Sequence, residues 1–289
     1  LGFGEIGSPS QLAFGIGAAA AQIDAIAARA GACVSIDADD VATCFDKAAA
    51  SQRLARPNLP APRLQIVQGG FDALTAIMDR EGWSRVFLKL RHGAAAAGMM
   101  ALVRHGDRWA ATTTAVAGDN GCPCATRALR RITQRTEIAR IIDQLAPLGL
   151  IVEQWLPKIG LEGQTVDLRM VVLGGEQVFP VLRSSPHPIT NLHIGGRRGS
   201  ADALAAKVGP TAWADILVTA RQAARQFPTA QCLGIDMAVL VDGVRHAVLE
   251  VNAFGDHVRD FAMEGVTIHD ALLNHIAQMM ANRTPALAA

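Results

Sequence analysis

Apolar and polar positions change period several times along the chain, and each change marks an element. Residues 12–31 are Ala-rich with apolar positions at helical spacing and predict a helix; "ACVSID" (32–37) predicts a short strand. A helix is expected from about Asp46. It is followed by "RPNLPAPRLQIV", whose prolines force extended or turn structure before a strand. "GGFDALTAIMDREG" spaces Leu and Ile as a helix does, "RVFLKLR" (85–91) reads as a strand, and "HGAAAAG" as a loop of small residues. "MMALVRHGDRWAATTT" predicts a hairpin turning at His105-Gly106-Asp107. Residues 126–146 predict a basic amphipathic helix and 150–156 an apolar strand. A second hairpin turns at Gly174-Gly175, and "PHPITNLHIGGRRG" is a long loop. Residues 201–226 predict a helix, "GIDMAVLVDGVRHAVLEVN" a third hairpin turning at Asp242-Gly243, and residues 267–282 a closing helix.

Helices interleaved with antiparallel hairpins argue for an α+β fold rather than a doubly wound parallel sheet. No internal repeat or low-complexity linker interrupts them, and a natural boundary falls near residue 157. Composition narrows the function classes. The chain has 289 residues, 50% hydrophobic, and a net charge of +1, so bulk electrostatics favour neither nucleic acid nor a membrane surface. Only 4% of residues are aromatic and Tyr is absent, which speaks against a base-stacking platform. The first helix is apolar but interrupted by Asp24 and Arg29, and no run of about 18 uncharged apolar residues predicts a membrane span. It is instead a surface suited to a partner, such as a second copy in a homodimer. Five scattered cysteines suit a reducing cytoplasm; Cys122 and Cys124 form a C-P-C pair that reads as a turn with ordinary thiols.

The third hairpin carries the chemistry. Glu250 and Asn252 lie two apart and share a strand face, and the turn brings Asp236 near them. Two carboxylates and an amide oxygen form a hard, oxygen-rich site suited to Mg²⁺ with substrate phosphates. Polar residues of an edge pair facing water are the alternative. No G-x-x-x-x-G-K-[ST] or strand-linked G-x-G-x-x-G supplies a phosphate cradle, and "GFGEIG" near the start is a lone glycine cluster. The chain has 23 arginines but only four lysines, Lys47, Lys89, Lys158 and Lys207, so positions that keep a compact ammonium draw notice. Lys89, followed by its flexible loop, offers an ammonium and backbone N–H groups to a triphosphate.

In this order the segments resemble the ATP-grasp superfamily. "CFDKAAASQRL" looks like its first lysine segment, "VFLKLRHGAAAAG" its second lysine strand and lid, "IVEQWLP" its hinge, and "GIDMAVL…VLEVN" its metal hairpin. "DLRMVVLGGEQVFPVLR…TNLHIGG" resembles the branch containing ribosomal-protein α-L-glutamate ligases and less characterised bacterial ATP-grasp proteins. The resemblance implies two α+β subdomains gripping the nucleotide, with a short N-terminal α/β remnant. The bounds would be a reduced segment at 1–45, a central and lid part at 46–157, and a metal-binding part at 158–289. It also implies ATP and Mg²⁺, with Mn²⁺ as an alternative. Lys47 and Lys89 would contact phosphates, Glu153 the adenine amine, the Gln154 and Trp155 backbone the adenine edge, and Glu162 the ribose. Asp236, Glu250 and Asn252 would hold the metal. Arg169 and Arg183 would sit near the phosphates or an acyl-phosphate, and Asn191 where the two substrates meet.

The lid departs from the family, which usually carries hydroxyl residues where Ala94 to Ala97 stand. Arg127, Arg130, Arg131, Arg135 and Arg140, with Arg197 and Arg198, read either as recognition of an acidic substrate or as a solvated face paired with Glu137 and Asp143. His193 is placed to donate to a phosphate or carboxylate, and Asp256 to position an amine or cap the next segment; His187 and His257 read as ordinary loop residues. The implied activity is ligation of a small-molecule or peptide carboxylate to an amine. The rivals are a nucleotide-binding regulatory or partner subunit without turnover, and a kinase on the same scaffold.

Overall fold

Among the described residues the strands pair into two six-stranded antiparallel sheets and a small two-stranded one (Ala262–Met263 with Val266–Thr267). The computed structural model describes residues 4–254 and 261–283. The first sheet contains β1 (Leu64–Val67), β2 (Arg85–Leu90), β3 (Met100–His105), β4 (Arg108–Val116), β5 (Cys124–Ile132) and β6 (Leu150–Gln154), in the order β1-β6-β2-β3-β4-β5. The second contains β7 (Gly160–Leu161), β8 (Gln164–Leu173), β9 (Gln177–Ser185), β10 (Arg197–Gly199), β11 (Cys232–Val239) and β12 (His246–Ala253), in the order β10-β9-β8-β11-β12, with β7 beside β8. The helices are α1 (Pro9–Arg29), α2 (Ala38–Cys44), α3 (Lys47–Ala55), α4 (Phe71–Glu81), α5 (Arg135–Leu145), α6 (Ala201–Val208), α7 (Pro210–Ala224) and α8 (Ile268–Arg283).

The first sheet buries one face under α4 and α5. Phe71, Leu74, Ile77 and Met78 form one stripe of α4, and Ile138, Ile141, Ile142 and Leu145 one stripe of α5. Both meet Val86, Leu88, Leu90, Met100 and Leu102 from the strands. Each such side chain contributes about 1.5–3 kcal/mol on burial, so these stripes fix the helices more firmly than local propensity does. Asp143 of α5 accepts the Phe71 N–H at 2.8 Å, tying the two helices together.

The second sheet is apolar on one face, against α2, α3, α6 and α7. Its other face changes character along the strands. Val171, Leu173, Phe179 and Val181 pack on Ile268 of α8, whereas Asp167, Arg169 and Arg183 occupy the same face further along β8 and β9. The charged half is the floor of the functional cleft.

Several expectations are corrected by pairing across the chain. Residues 126–146 are not one helix: β5 ends at Ile132 and α5 begins at Arg135. Pairing with β4 places Ile132 in the apolar core, and this tertiary contact overrides local helical propensity. Residues 32–37 form no strand. The 201–226 helix is two, because Gly209 takes φ +84° and Pro210 restarts the next one. Ile36, Val41, Ala50, Leu54 and Leu59 share a core with the second sheet. Residues ahead of the lid therefore belong structurally to the floor side.

Helix α1 is long and apolar enough to cross a membrane by length and composition alone, and none of it is buried. Phe14 is 80% exposed. Asp24 ties α1 to the body by accepting the Ala38 N–H at 2.8 Å.

Candidate functional site

A cleft of about 480 Å³ lies between the Gly93–Ala97 loop and the charged floor, with Lys47, Lys89, Asp236 and Glu250 in its lining. Register places its acidic groups. Asp236 pairs directly with Glu250 on β12 and with Arg169 on β8, while Gly234 pairs with Asn252. Directly opposed residues share a face, so Asp236, Glu250 and Asn252 converge as the sequence suggested. A β-bulge makes this work. The register is Asp236↔Glu250 but Met237↔Val248, so Leu249 is the extra residue. Without it, Leu249 would stand opposite Asp236 and Glu250 would turn to the other face.

Asp236 is held by two cations and Glu250 by one. Arg169 donates to Asp236 through Nε at 2.5 Å and a terminal nitrogen at 3.2 Å; Arg183 donates to Asp236 at 3.2 Å. Gly234 leaves room for the Arg169 guanidinium, since a Cβ there would lie 3.1 Å from its terminal nitrogen. Glu250 accepts from Lys47 Nζ at 3.1 Å. Burial raises its pKa, but Lys47 and then Lys89 outweigh that and hold it below the usual carboxylate range.

Lys89 and Glu153 come together diagonally across β2 and β6, with 2.7 Å between Nζ and Oε2. Burial disfavours the Lys89 charge, yet Glu153 and then Glu250 raise its pKa overall. Lys47 opens α3, which Asp46 caps by accepting the Ala48 and Ala49 N–H groups. Its ammonium also donates to Gly93 O at 2.5 Å, joining helix and lid.

Not every expected residue enters the cleft on the expected terms. Asn191 lines it, but its Oδ1 accepts the His193 N–H at 2.8 Å and shapes the following turn. Asn252 donates its amide to Gly234 O at 3.3 Å, which presents the amide oxygen as its remaining acceptor. Glu153, Gln154, Leu156 and Lys158 border an adjoining cavity walled by Phe87, Met99 and Ile189. The N–H groups of Gln154 and Trp155 donate to Arg63 O and Arg85 O, so neither donor is open to a ligand edge. The Trp155 ring packs on Phe87 at 4.6 Å. Glu162 is not brought to the site: it lies in the β7–β8 turn and lines a separate cleft with Arg197 and Arg198. Asp256 and His257 lie outside the described residues.

Sequence reasoning missed a buried network behind the floor. Asp167 is 2% exposed. It accepts from Arg183 Nε at 2.8 Å, from Lys158 Nζ at 2.8 Å, and from the Thr190 hydroxyl. Burial raises the Asp167 pKa, but Arg183 and then Lys158 drive it well below the usual range. The available signal was Lys158, one of the four lysines, and the acidic residue opening "DLR". The arginines of 127–140 are dispersed: Arg130 lies 3.5 Å from Glu137, and Asp143 serves α4 instead.

No protein-family model matches the chain, and no curated protein matches it in sequence. Similar solved structures exist. D-alanine–D-alanine ligase from Bacillus anthracis, complexed with ATP, matches with a TM-score of 0.54 and 13% identity over 90% of this chain and 74% of that one. L-amino acid ligase from Bacillus licheniformis gives 0.51 and 13% over 86% of this chain and 50% of that one. The ATP-grasp ligase PsnB, complexed with a minimal precursor, gives 0.50 and 15% over 86% and 66%. The chain thus spans between half and three quarters of the length of these proteins. Its fold is the α+β ATP-grasp fold.

Proposed function

We propose that this protein is an ATP- and Mg²⁺-dependent carboxylate–amine ligase that releases ADP and phosphate. The observation that carries this reading is the opposed Asp236–Glu250 pair, each carboxylate offset by cations in one cleft. The donor set fits the metal, since Asp236, Glu250 and Asn252 bring hard oxygens to one cleft from neighbouring register positions. When bound there, Mg²⁺ supplies Lewis-acid charge neutralisation to the phosphates.

The residues' work is exchange of partners. Lys47 and Lys89 are held by Glu250 and Glu153; Glu250 would be among the residues that hold the metal, and both ammonium groups would offset charge on phosphate oxygens. Arg169 and Arg183, held by Asp236 and, for Arg183, also by Asp167, would offset charge on the transferring phosphoryl group. Glu153 accepts from the adenine amine, and Gln154 and Trp155 border the base through their carbonyl side. Glu162, in its separate cleft, has no part in this reading.

The γ-phosphoryl group passes from ADP oxygen to the substrate carboxylate, forming an acyl-phosphate. The amine nitrogen then attacks the acyl carbon. The C–O bond to phosphate breaks, phosphate departs, and nitrogen loses a proton. Positioning and charge neutralisation account for most of such catalysis. Asn191 borders the meeting point of the two substrates. The resemblance of "DLR…NLHIGG" points toward the branch of ribosomal-protein α-L-glutamate ligases.

The test is Mg²⁺-dependent ADP release from ATP with a panel of carboxylic acids and hydroxylamine as the amine. The expected result is a hydroxamate in step with ADP. A stable phosphorylated product without amine dependence would favour a kinase. Nucleotide binding without turnover would favour a regulatory subunit.

A further inference from the structure

Backbone strain is concentrated at the mouth of the cleft. Among the described residues, six non-glycine residues have a left-handed backbone: Asn58, Ala95, Ala96, Glu162, Phe254 and Glu264. Ala95 (φ +51°), Ala96 (φ +59°) and Phe254 (φ +64°) line this one cleft. The left-handed region presses Cβ against the following carbonyl, most severely for a bulky side chain. Glycine would relieve it, and glycine does stand at Gly93 and Gly98 on either side of the lid tip. Strain of this kind gathers at ligand clamps, where surrounding structure holds it. Here it holds methyl groups and an aromatic ring, 49% exposed, in the lining of one cleft.

The walls are mostly apolar, with Asn191, His193 and Asn252 as their polar side chains. Outside the paired charges of the floor, the lining comprises mainly Ala94 to Ala97, Leu192 and Phe254, and His193 is the one titratable group there among the described residues. None of Arg127, Arg130, Arg131, Arg197 or Arg198 lines this cleft, and the cations that do, Lys47, Lys89, Arg169 and Arg183, are already held by carboxylates. An exposed ring lining a cleft two residues beyond a metal-site amide marks a contact surface, because apolar area gains only when something covers it.

We propose that the alanine lid, Leu192 and Phe254 form an apolar subsite beyond the phosphates, which takes the aliphatic or aromatic substituent of the acid being activated. This rests on the ligase reading above. Phe254 is its specificity-determining residue: the exposed ring covers the substituent.

The test measures hydroxamate formation with ATP, Mg²⁺ and hydroxylamine, using hydrocinnamate and isocaproate as apolar acids and glutarate and β-alanine as charged ones. The apolar acids are expected to react at least about tenfold faster in kcat/KM, the scale of discrimination that apolar pockets achieve. Phe254→Ala should close that gap, and Phe254→Leu should keep most of it. Preference for the charged acids, or a gap that survives Phe254→Ala, overturns the proposal. If no acid turns over, the ligase reading fails and the subsite is tested by binding. Calorimetry with Mg²⁺ and β,γ-imido-ATP present should then show hydrocinnamate binding, weakened about tenfold by Phe254→Ala. Equal binding of hydrocinnamate and glutarate, or no effect of the substitution, overturns it.

Discussion

The floor and the lid of the cleft hold their positions by different means. The floor is fixed by side chains: Asp236 between two guanidinium groups, Glu250 against Lys47, and Asp167 locked by Arg183 and Lys158. The lid is held through its own main-chain atoms, which bond one another and accept from Thr114 and Lys47. Ala97 N–H closes a turn on Ala94 O at 3.0 Å, and Thr114 donates to Ala96 O at 2.6 Å, while the lid's own side chains at 94–97 are methyl groups. Charge in the floor is preorganised, and each group is costly to leave unpaired. The lid contributes shape, and its substitutions should cost little. The largest expected effect therefore falls in the floor. Glu250→Gln should lower Mg²⁺-dependent ATP turnover by about 10³-fold or more, since metal charge stabilisation is worth several kcal/mol. Circular dichroism should show the fold retained. Turnover that survives with unchanged metal dependence would remove the floor from the chemistry.

The second test separates stability from chemistry. Asp167→Asn leaves Lys158 and Arg183 with a buried partner that no longer carries charge. We expect a loss of about 3 kcal/mol in urea unfolding, the low end for breaking a buried pair, because Arg183 keeps Asp236. The sign with pH follows from the lowered pKa values of Asp167 and Glu250. Their contribution is present above the unfolded carboxyl range, near pH 4, and is lost as pH falls through the lower folded values. The wild-type unfolding midpoint should thus fall on acidification below about pH 4, and less steeply in Asp167→Asn. An unchanged acid limb in the variant would show that this network does not set it.

How much of this contrast was legible in the sequence follows from the same physics. The floor announced itself because acidic and amide residues interrupt apolar strands at Asp236, Glu250 and Asn252. Their faces could be argued from a two-residue period. The bulge at Leu249 could not, because counting across a turn is accurate only to about one residue, and one residue reverses a face. The Lys158–Asp167–Thr190 cluster was hidden because it joins three segments through tertiary packing. Strand β5 was read as a helix for a similar reason: its partner β4 decides its conformation. The lid's departure from hydroxyl residues was visible, but not its left-handed alanines, which run against local preference.

Between floor and lid stands Lys89, on a strand of the lid sheet, paired with Glu153 of that sheet and also within the field of Glu250. Lys89→Ala should weaken ATP binding about tenfold by calorimetry, the scale of one charge-assisted hydrogen bond. Unaltered affinity would confine phosphate binding to Lys47 and the lid's main chain.

The smallest effect should have the opposite sign from ordinary expectation, and it comes from the lid itself. Replacing alanine by glycine in a helix usually destabilises, by about 0.5–1 kcal/mol, because glycine has more freedom to lose. Ala206, on the exposed surface of α6, should follow that rule. Ala95 should not. Its φ of +51° crowds Cβ in the folded state at about 1–2 kcal/mol, more than the entropy that glycine adds to the unfolded chain. Ala95→Gly is therefore expected to stabilise by somewhat under about 1 kcal/mol, raising Tm by roughly 1–3 °C for a chain of this size. Ala206→Gly should lower Tm by a similar amount. Both substitutions remove one methyl group and add the same freedom to the unfolded chain, so their opposite signs would isolate the backbone conformation. If Ala95→Gly lowers Tm as Ala206→Gly does, the lid is not held in a left-handed conformation. The contrast between a charge-fixed floor and a strained lid would then lose its second half.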